Sequence, residues 1–324
     1  MSVEFKLECL QPSGSFKDRG ISHMITTLLT RQDVTKIICS SGGNAGHAVA
    51  TAGQVLSIPV DVYVPVTTLP MMIEKLKKKG AKVFVGGANW NEADAQARLA
   101  LSQTTGSIFI PPYDDPLIWE GNSTIVDELV NASPAAPPPD AIVVSVGGGG
   151  LLAGIQQGVK RAEWDRHTTI FAVETTGAAS FAAAKAAGRV VKLGKISTIA
   201  SSLGALSVTE AVLPTSSGRS SGFNSGLMTE SIVVSDHDAL NACLQFVEEQ
   251  RILTEPACGA ALAAVASPHR EILLKTLLEN NTRPTHQKAH QRGNTPWRVV
   301  VVVCGGSIVN VDLVAKWRAM VANT

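Results

Sequence analysis

The chain has 324 residues and a formal net charge of +1, with 45% hydrophobic and 17% charged residues. A chain of this length can bury a large core and corresponds to about two domains or one large one. The small net charge gives no electrostatic reason to expect nucleic acid or an anionic membrane as a partner, and no stretch approaches the ~20 apolar residues of a membrane span.

The first residues and the cysteines bear on the cellular location. Charged residues in the segment 1–8 stand where a signal peptide would carry an apolar run, so we expect a cytoplasmic protein. The five cysteines contain no CxxC pair, which indicates neither a zinc site nor a disulfide framework.

The stretch 11–20 presents one lysine, Lys17, after small and turn-permissive residues. Apolar residues recur at helical spacing from Ile21 to Leu29, so we expect an amphipathic helix that begins near Lys17. A cation at a helix N-terminus opposes the helix dipole, and contact with Phe16 would remove it from water, so we expect a lowered pKa for this amine. Such a lysine can form a Schiff base or act as a general base. A solvated lysine of a first helical turn is the alternative.

Strands and helices then alternate along the chain. Strands are predicted at 36–39, 60–64, 81–85, 108–110, 141–146, 170–173 and 299–303, with helices between most of them. Near-continuous apolar strands that alternate with helices are typical of parallel sheets covered on both faces. The proline-rich stretch 111–116 interrupts the alternation. We therefore place there the return from a small inserted domain, 18–113, to a larger domain formed by 1–17 and 114–324. The polar stretches 216–226 and 280–296 are interpreted as loops.

Three loops at predicted strand ends carry candidate ligand-binding residues. Ligands of open parallel sheets bind beyond the carboxyl ends of the strands. The candidates are Ser41, Gly42 and Asn44 after the strand at 36–39, Gly147, Gly148, Gly149 and Gly150 after the strand at 141–146, and Cys304 after the last strand. Successive glycine N–H groups before a helix can bind a phosphate dianion. A plain tight turn, a helix-capping Asn44 and a buried inert Cys304 are the alternatives.

Together these segments resemble the fold-type II pyridoxal-phosphate enzymes over nearly the whole chain, and they are most similar to the serine/threonine dehydratases. The resemblance implies two open, mostly parallel three-layer αβα domains with pyridoxal 5'-phosphate in the cleft. It implies that Lys17 carries the cofactor and then removes the Cα proton of the substrate. It further assigns the cofactor phosphate to the four glycines, the phenolic oxygen to Asn44, the pyridine nitrogen to Cys304, and substrate binding to Ser41, Gly42 and Asn44.

The reaction type depends on Cys304. The sequence Lys-Asp-Arg-Gly at 17–20 also looks like threonine synthase, so this motif alone does not select the reaction. A neutral thiol beside the pyridine nitrogen does not enforce its protonation, which suits β-elimination. We therefore predict a lyase that converts L-serine and L-threonine to a 2-oxo acid and ammonia. The alternatives are a threonine synthase-like or other β-replacement enzyme, and a non-catalytic or biosynthetic relative with a shortened N-terminus.

Further expectations follow from the resemblance. Glu174, Ala178 and Leu203 match a monovalent cation site of the family, so K⁺ is a possible second cofactor. A helix-capping or ion-paired Glu174 is the alternative. The expected partners are a small amino-acid substrate and a second copy of the chain in a homodimer, without nucleic acid or membrane.

Overall fold

A computed structural model describes residues 1–214, 226–281 and 295–322 of the chain. The strands in these ranges are β1 (Ser2–Leu7), β2 (Lys36–Cys39), β3 (Val60–Val64), β4 (Lys82–Val85), β5 (Ser107–Phe109), β6 (Ala141–Ser145), β7 (Thr169–Thr175), β8 (Met228–Val234) and β9 (Arg298–Val303). The helices are α1 (Lys17–Leu29), α2 (Asn44–Leu56), α3 (Pro70–Lys78), α4 (Trp90–Gln103), α5 (Pro116–Ala132), α6 (Gly150–Arg161), α7 (Ser180–Ala187), α8 (Asp236–Gln250), α9 (Pro256–Ala263), α10 (His269–Asn281) and α11 (Val311–Ala322).

The chain divides into two compact units. The first unit comprises Met1–Glu8, Ser123–Gly305 and Val309–Thr324, and the second comprises Cys9–Asn122 and Gly306–Ile308. The predicted small domain, 18–113, lies inside the second unit, and its bounds remain a prediction. None of the helices in the described ranges is both long and apolar enough to cross a bilayer.

The first unit contains a parallel sheet with the strand order β1-β9-β6-β7-β8. Its central strands are covered on both faces, and each residue from Val299 to Val303 is 0% exposed. This two-sided burial accounts for the continuous valine run of β9, because a strand with one solvated face would alternate apolar and polar residues.

The second unit contains a smaller parallel sheet with the order β4-β3-β2-β5. Ile21 and Ile25 of α1 and Val49 of α2 are buried in one core with Ile37 of β2 and Val62 of β3. The apolar stripe predicted for the Lys17 helix therefore faces this core. The predicted α/β class with parallel sheets is confirmed.

The seven predicted strands all occur, with ends within two residues of the predicted ones, whereas β1 and β8 were not predicted. Both are edge strands, and half-exposed edges carry charges that obscure a strand pattern. In β1, Glu4 accepts hydrogen bonds at 2.7 and 2.9 Å from the guanidinium of Arg298 on β9. The charges that argued against a signal peptide thus belong to a paired strand.

The two predicted loops are only partly described. Residues 216–225 and 282–294 lie outside the described residues. Asn280 lies within α10 instead of a loop, and its side-chain amide donates to Thr169 Oγ1 at 3.3 Å. The five helices from α7 to α11 were not predicted.

Gly259 permits the close packing of α9 on α8. A Cβ atom at this position would lie 2.1 Å from the carbonyl oxygen of Ala239 and 2.5 Å from Cys243 Sγ. The carbonyl belongs to the backbone of α8 and cannot rotate away. The two helices can therefore approach this closely only because residue 259 has no side chain.

We expect Gly259→Ala to destabilise the first unit by about 2 kcal/mol, because overpacking against a backbone outweighs the gain in helix propensity. The apparent melting temperature should fall by roughly 5 °C. Gly194→Ala is the matched control, since a Cβ there would meet no atom within 4 Å. Equal melting temperatures for the two variants would contradict this account of the helix contact.

Candidate active site

Lys17 is the first residue of α1, at the helix start that the sequence predicts. Its ammonium donates a hydrogen bond to the carbonyl oxygen of Pro112. The Nζ atom lies 5.1 Å from the ring centroid of Phe16 and 6.0 Å from that of Tyr113. Both rings attract the cation and cover part of its surface from water. The amine is therefore held in place on a rigid helix end and remains half-buried.

The loop before Lys17 is fixed on both sides of Ser13. The carboxylate of Asp18 accepts the Ser13 N–H at 2.6 Å, and Nδ1 of His47 donates to the Ser13 carbonyl oxygen at 3.0 Å. Burial raises the pKa of Asp18 and lowers the pKa of His47, although the hydrogen bonds with Ser13 act in the opposite direction in each case. Gly14, with a φ of +84°, completes the turn. This role of His47 was not predicted from the sequence, because 34 residues separate it from Ser13.

Asn44 is the first residue of α2, and its side chain is not a helix cap. The N-cap residue is Gly43, and no side chain caps this helix. Instead, the Oδ1 atom of Asn44 accepts two hydrogen bonds from Ser307, from the backbone N–H at 2.8 Å and from Oγ at 2.9 Å. The helix-capping alternative for Asn44 is therefore wrong. The contact with Ser307 spans 263 residues, and no local sequence pattern indicates it.

Ser41 and Gly42 form a tight turn after β2. Ser41 Oγ accepts the Gly43 N–H at 3.3 Å. A Cβ on Gly42 would lie 2.7 Å from Thr68 Cγ2, and a Cβ on Gly46 would lie 1.7 Å from the Ser41 carbonyl oxygen. The glycines thus let the backbone fold close around Ser41. The assignment of Ser41 and Gly42 to the substrate remains a prediction.

The tetraglycine loop lies between β6 and α6 in the first unit. Gly149 has a φ of +90°, and a Cβ there would lie 2.6 Å from Val208 Cγ2. A Cβ on Gly147 would lie 3.1 Å from Leu203 Cα, and the Gly148 carbonyl oxygen accepts the Thr209 N–H at 3.0 Å. At Gly149 the loop has no room for a side chain, and at Gly147 a side chain would be tightly confined, so the backbone of the loop is what a ligand there would contact. Together with the N-terminus of α6, it fits a phosphate dianion.

Cys304 follows β9 and is 5% exposed. A hydrogen bond with the Cys258 thiol of α9 and burial both raise its pKa well above the ordinary value, while Ser145 of β6 lowers it. The thiol is therefore neutral near pH 7. A neutral group is what the predicted contact with a pyridine nitrogen requires, and that contact itself remains a prediction.

Glu174, at the end of β7, caps helix α7. Its two carboxylate oxygens accept the N–H groups of Phe181 at 2.7 Å and Ala182 at 2.8 Å. Ala178 and Leu203 are buried, and the Leu203 carbonyl oxygen accepts the Ala205 N–H at 2.7 Å. The helix-capping alternative for Glu174 is observed, and K⁺ binding by these three residues remains a prediction. Within the described ranges, no cluster of three His, Cys, Asp or Glu residues suits a metal ion.

Burial raises the pKa of Glu174 to about 7 from the ordinary 4.5, although the N–H groups of Phe181 and Ala182 act to lower it. The folded state therefore binds this proton more tightly than the unfolded state. The resulting stability is present below about pH 4.5 and is lost as the pH rises through about 7. The difference amounts to about 3 kcal/mol.

We expect the cofactor-free wild type to lose stability relative to Glu174→Gln between pH 5 and pH 8. The glutamine carries no titrating proton, so contributions from other groups cancel in the difference between the two proteins. Melting temperatures measured across this range check the expectation. Parallel pH profiles for the two proteins would show that Glu174 does not titrate in this window.

The chain belongs to the family of pyridoxal-phosphate dependent enzymes, because the model of that family matches residues 1–281. It is 42% identical over 324 residues to an L-serine dehydratase/L-threonine deaminase of Homo sapiens, covering 98% of this chain and 89% of the relative. It is 38% identical over 312 residues to an L-serine dehydratase of Dictyostelium discoideum, covering 94% and 82% of the two chains. The family resemblance drawn from the sequence is confirmed.

Two solved structures support this family assignment. The chain matches a fungal L-serine ammonia-lyase from Rhizomucor miehei with a TM-score of 0.82 and 31% identity, covering 98% of this chain and 92% of that one. It matches threonine deaminase isoform 2 from Solanum lycopersicum with a TM-score of 0.79 and 26% identity, covering 98% and 82%. The match extends over both units of the chain, so the fold is that of the fold-type II enzymes.

Proposed function

We propose that this chain is a pyridoxal-phosphate dependent ammonia-lyase that removes the hydroxyl of L-serine and L-threonine by β-elimination, giving a 2-oxo acid and ammonia. One observation carries the proposal. Lys17 is a fixed, half-buried amine at the start of a helix. The chain that carries it is 42% identical, across 98% of its length, to an L-serine dehydratase/L-threonine deaminase. A lysine in such a place can serve as covalent anchor and as general base.

The residues of the chain fit the cofactor as follows. The N–H groups of the tetraglycine loop and the N-terminus of α6 would hold the phosphate. The amide nitrogen of Asn44 would donate to the phenolic oxygen, and the neutral thiol of Cys304 would lie at the pyridine nitrogen. When bound, pyridoxal phosphate supplies an electron sink for the negative charge that develops at the substrate Cα.

Lys17 has two tasks in this proposal. Its amine would hold the cofactor covalently, and the same amine would take the proton from the substrate Cα. The Pro112 carbonyl oxygen and the rings of Phe16 and Tyr113 hold the amine in position and exclude part of the surrounding water. Ser41 and the backbone at Gly42 would orient the substrate carboxylate.

Threonine synthase-like or other β-replacement chemistry is the second enzyme candidate. The neutral state of the buried Cys304 thiol supports elimination, because an unprotonated pyridine stabilises a carbanion only moderately and the leaving group must depart quickly. The presence of Lys17 and of the tetraglycine loop argues against a non-catalytic relative. A homodimer, a cytoplasmic location and K⁺ as a second cofactor are further proposals, and they rest on the sequence and the family resemblance alone.

Lys17→Ala should lower the production of 2-oxo acid from L-serine by roughly a thousandfold or more, because both the anchor and the base are lost. Mass spectrometry after borohydride reduction should show the cofactor attached to the wild type and not to the variant. Lys78→Ala, at an exposed lysine of α3, is the control and should match the wild type. Turnover retained in Lys17→Ala would refute the assignment of this lysine.

Cys304→Asp tests the reaction type. A carboxylate at this position would favour the protonated form of a nearby pyridine, so more of the substrate should regain a proton at Cα instead of losing its hydroxyl. We expect the ratio of pyruvate to D-serine formed from L-serine to fall in Cys304→Asp and to change little in Cys304→Ser. Circular dichroism identifies any loss of the folded state. The same rate and ratio in all three proteins would show that Cys304 does not contact the cofactor.

A further inference from the structure

The aspartate of the Lys-Asp-Arg-Gly motif has no role in the function proposed above, although it directly follows Lys17. Asp18 lies in the first turn of α1 and is 6% exposed. A carboxylate is rarely buried unless hydrogen bonds compensate for the water that it loses. The burial of Asp18 next to the candidate anchor residue therefore points to a specific task.

Asp18 ties the backbone around Lys17 into a closed turn. Its carboxylate accepts the N–H of Ser13 at 2.6 Å, and its own N–H donates to the carbonyl oxygen of Ser15 at 3.3 Å. A hydrogen bond to a charged acceptor is stronger than one between neutral groups. The segment 13–18 is closed by these two contacts, so a displacement of Lys17 would strain at least one of them.

His47, on α2, binds the other polar group of Ser13. Its Nδ1 atom lies 3.0 Å from the Ser13 carbonyl oxygen, which can only accept, so Nδ1 carries a proton. Burial and the positive charges of Lys79 and Lys75 lower the pKa of His47, although Ser13 and Asp18 act to raise it. The imidazole is therefore neutral near pH 7, and its single N–H is used by Ser13.

The turn that begins at Ser13 contains both the amine and one of the rings that cover it. Phe16 lies in this turn, and its ring centroid is 5.1 Å from Lys17 Nζ. The carbonyl oxygen of Gly14, in the same turn, accepts the N–H of Gly306 at 2.9 Å. All these residues belong to the second unit. Fixing Ser13 thus fixes the backbone that carries Lys17 and Phe16 together.

We propose that Asp18 and His47 are positioning residues for Lys17, which hold the amine in place by binding the N–H and the carbonyl oxygen of Ser13. This inference rests on the proposed function, in which Lys17 serves both as covalent anchor and as general base. A reacting group that is displaced by about 1 Å can lose roughly a hundredfold in rate. The aspartate of the motif then serves the lysine turn and carries no information about the type of reaction.

Two matched pairs of variants test the proposal. Asp18→Ala removes the acceptor of the Ser13 N–H, whereas Asp18→Asn keeps an amide oxygen there. His47→Leu removes the donor to the Ser13 carbonyl oxygen, whereas His47→Asn keeps an N–H close to the position of Nδ1. Gln54→Ala, at an exposed position of α2, is the control. The melting temperature of each cofactor-free protein shows which variants are folded.

The first measurement is the reactivity of Lys17 in the cofactor-free proteins. Labelling with acetic anhydride, followed by mass spectrometry, gives the rate at Lys17 relative to the rate at Lys78, an exposed lysine of α3. We expect this ratio to rise about threefold or more in Asp18→Ala and His47→Leu, because a turn that has lost one hydrogen bond holds the amine less firmly in its half-buried place. The two asparagine variants and the control should give the wild-type ratio.

The second measurement is the steady-state formation of 2-oxo acid from L-serine. Asp18→Ala and His47→Leu should each lower kcat roughly ten- to a hundredfold, because the general base is displaced. Asparagine at either position should restore most of the lost rate. A lower melting temperature combined with wild-type labelling and wild-type kcat in both Asp18→Ala and His47→Leu would overturn the inference, since the two contacts would then only stabilise the fold.

The remaining outcomes are also decisive. If asparagine has the same effect as alanine at position 18 and as leucine at position 47, hydrogen bonds to Ser13 are not what fixes Lys17, and the inference is wrong. If Asp18→Ala does not fold, the pair at position 47 decides. A wild type that binds the cofactor but forms no 2-oxo acid contradicts the proposed function, while the labelling of Lys17 still decides the roles of Asp18 and His47.

Discussion

Burial of two parallel sheets on both faces is the constraint on which the rest of this structure depends. Covered strands must be apolar along their whole length, so polar and reactive groups are confined to the loops at the strand ends. The tetraglycine loop after β6, the Ser41 turn after β2 and Cys304 after β9 all occupy such positions. The fold therefore separates the residues that stabilise it from those that carry chemistry.

The candidate site relies on backbone groups more than on side chains. At Gly149 and Gly42 a single added carbon would collide with neighbouring atoms, and at Gly147 it would lie only 3.1 Å from Leu203 Cα. Close packing around these loops fixes the direction of their N–H groups before any ligand binds, and such preorganised donors are the ones that stabilise charge most effectively. Because these glycines have no side chain, neighbouring atoms pack directly against the loop backbone and keep it rigid.

The sequence predicted those features of the fold and the site that depend on residues close together in the chain. The helix start at Lys17, the four glycines after a strand and the buried strands follow from spacing and composition within a dozen residues, whereas the role of Lys17 as cofactor anchor comes from the family resemblance. Ser307 and His47 could not be found in this way, because each acts on a residue 263 or 34 positions away. Edge strands such as β1 were missed because their charged residues pair with a neighbouring strand that only the fold supplies. Glu174 shows the same limit, since its position at a strand end was clear while its hydrogen-bond partners on α7 were not.

The pairing of β1 with β9 joins segments that are far apart in the sequence, with Ser2 opposite Arg298 and Leu7 opposite Val303. During synthesis on a ribosome, the second unit has nearly all its residues once position 122 has emerged, whereas the sheet of the first unit must wait for β9. Contacts between distant segments form slowly and leave strand edges exposed in the meantime. Ser307 emerges only after β9, so its hydrogen bonds to the amide of Asn44 form after most of the second unit has been synthesised. A nascent chain of this protein would thus have most of its fold before it could bind its cofactor in the proposed way.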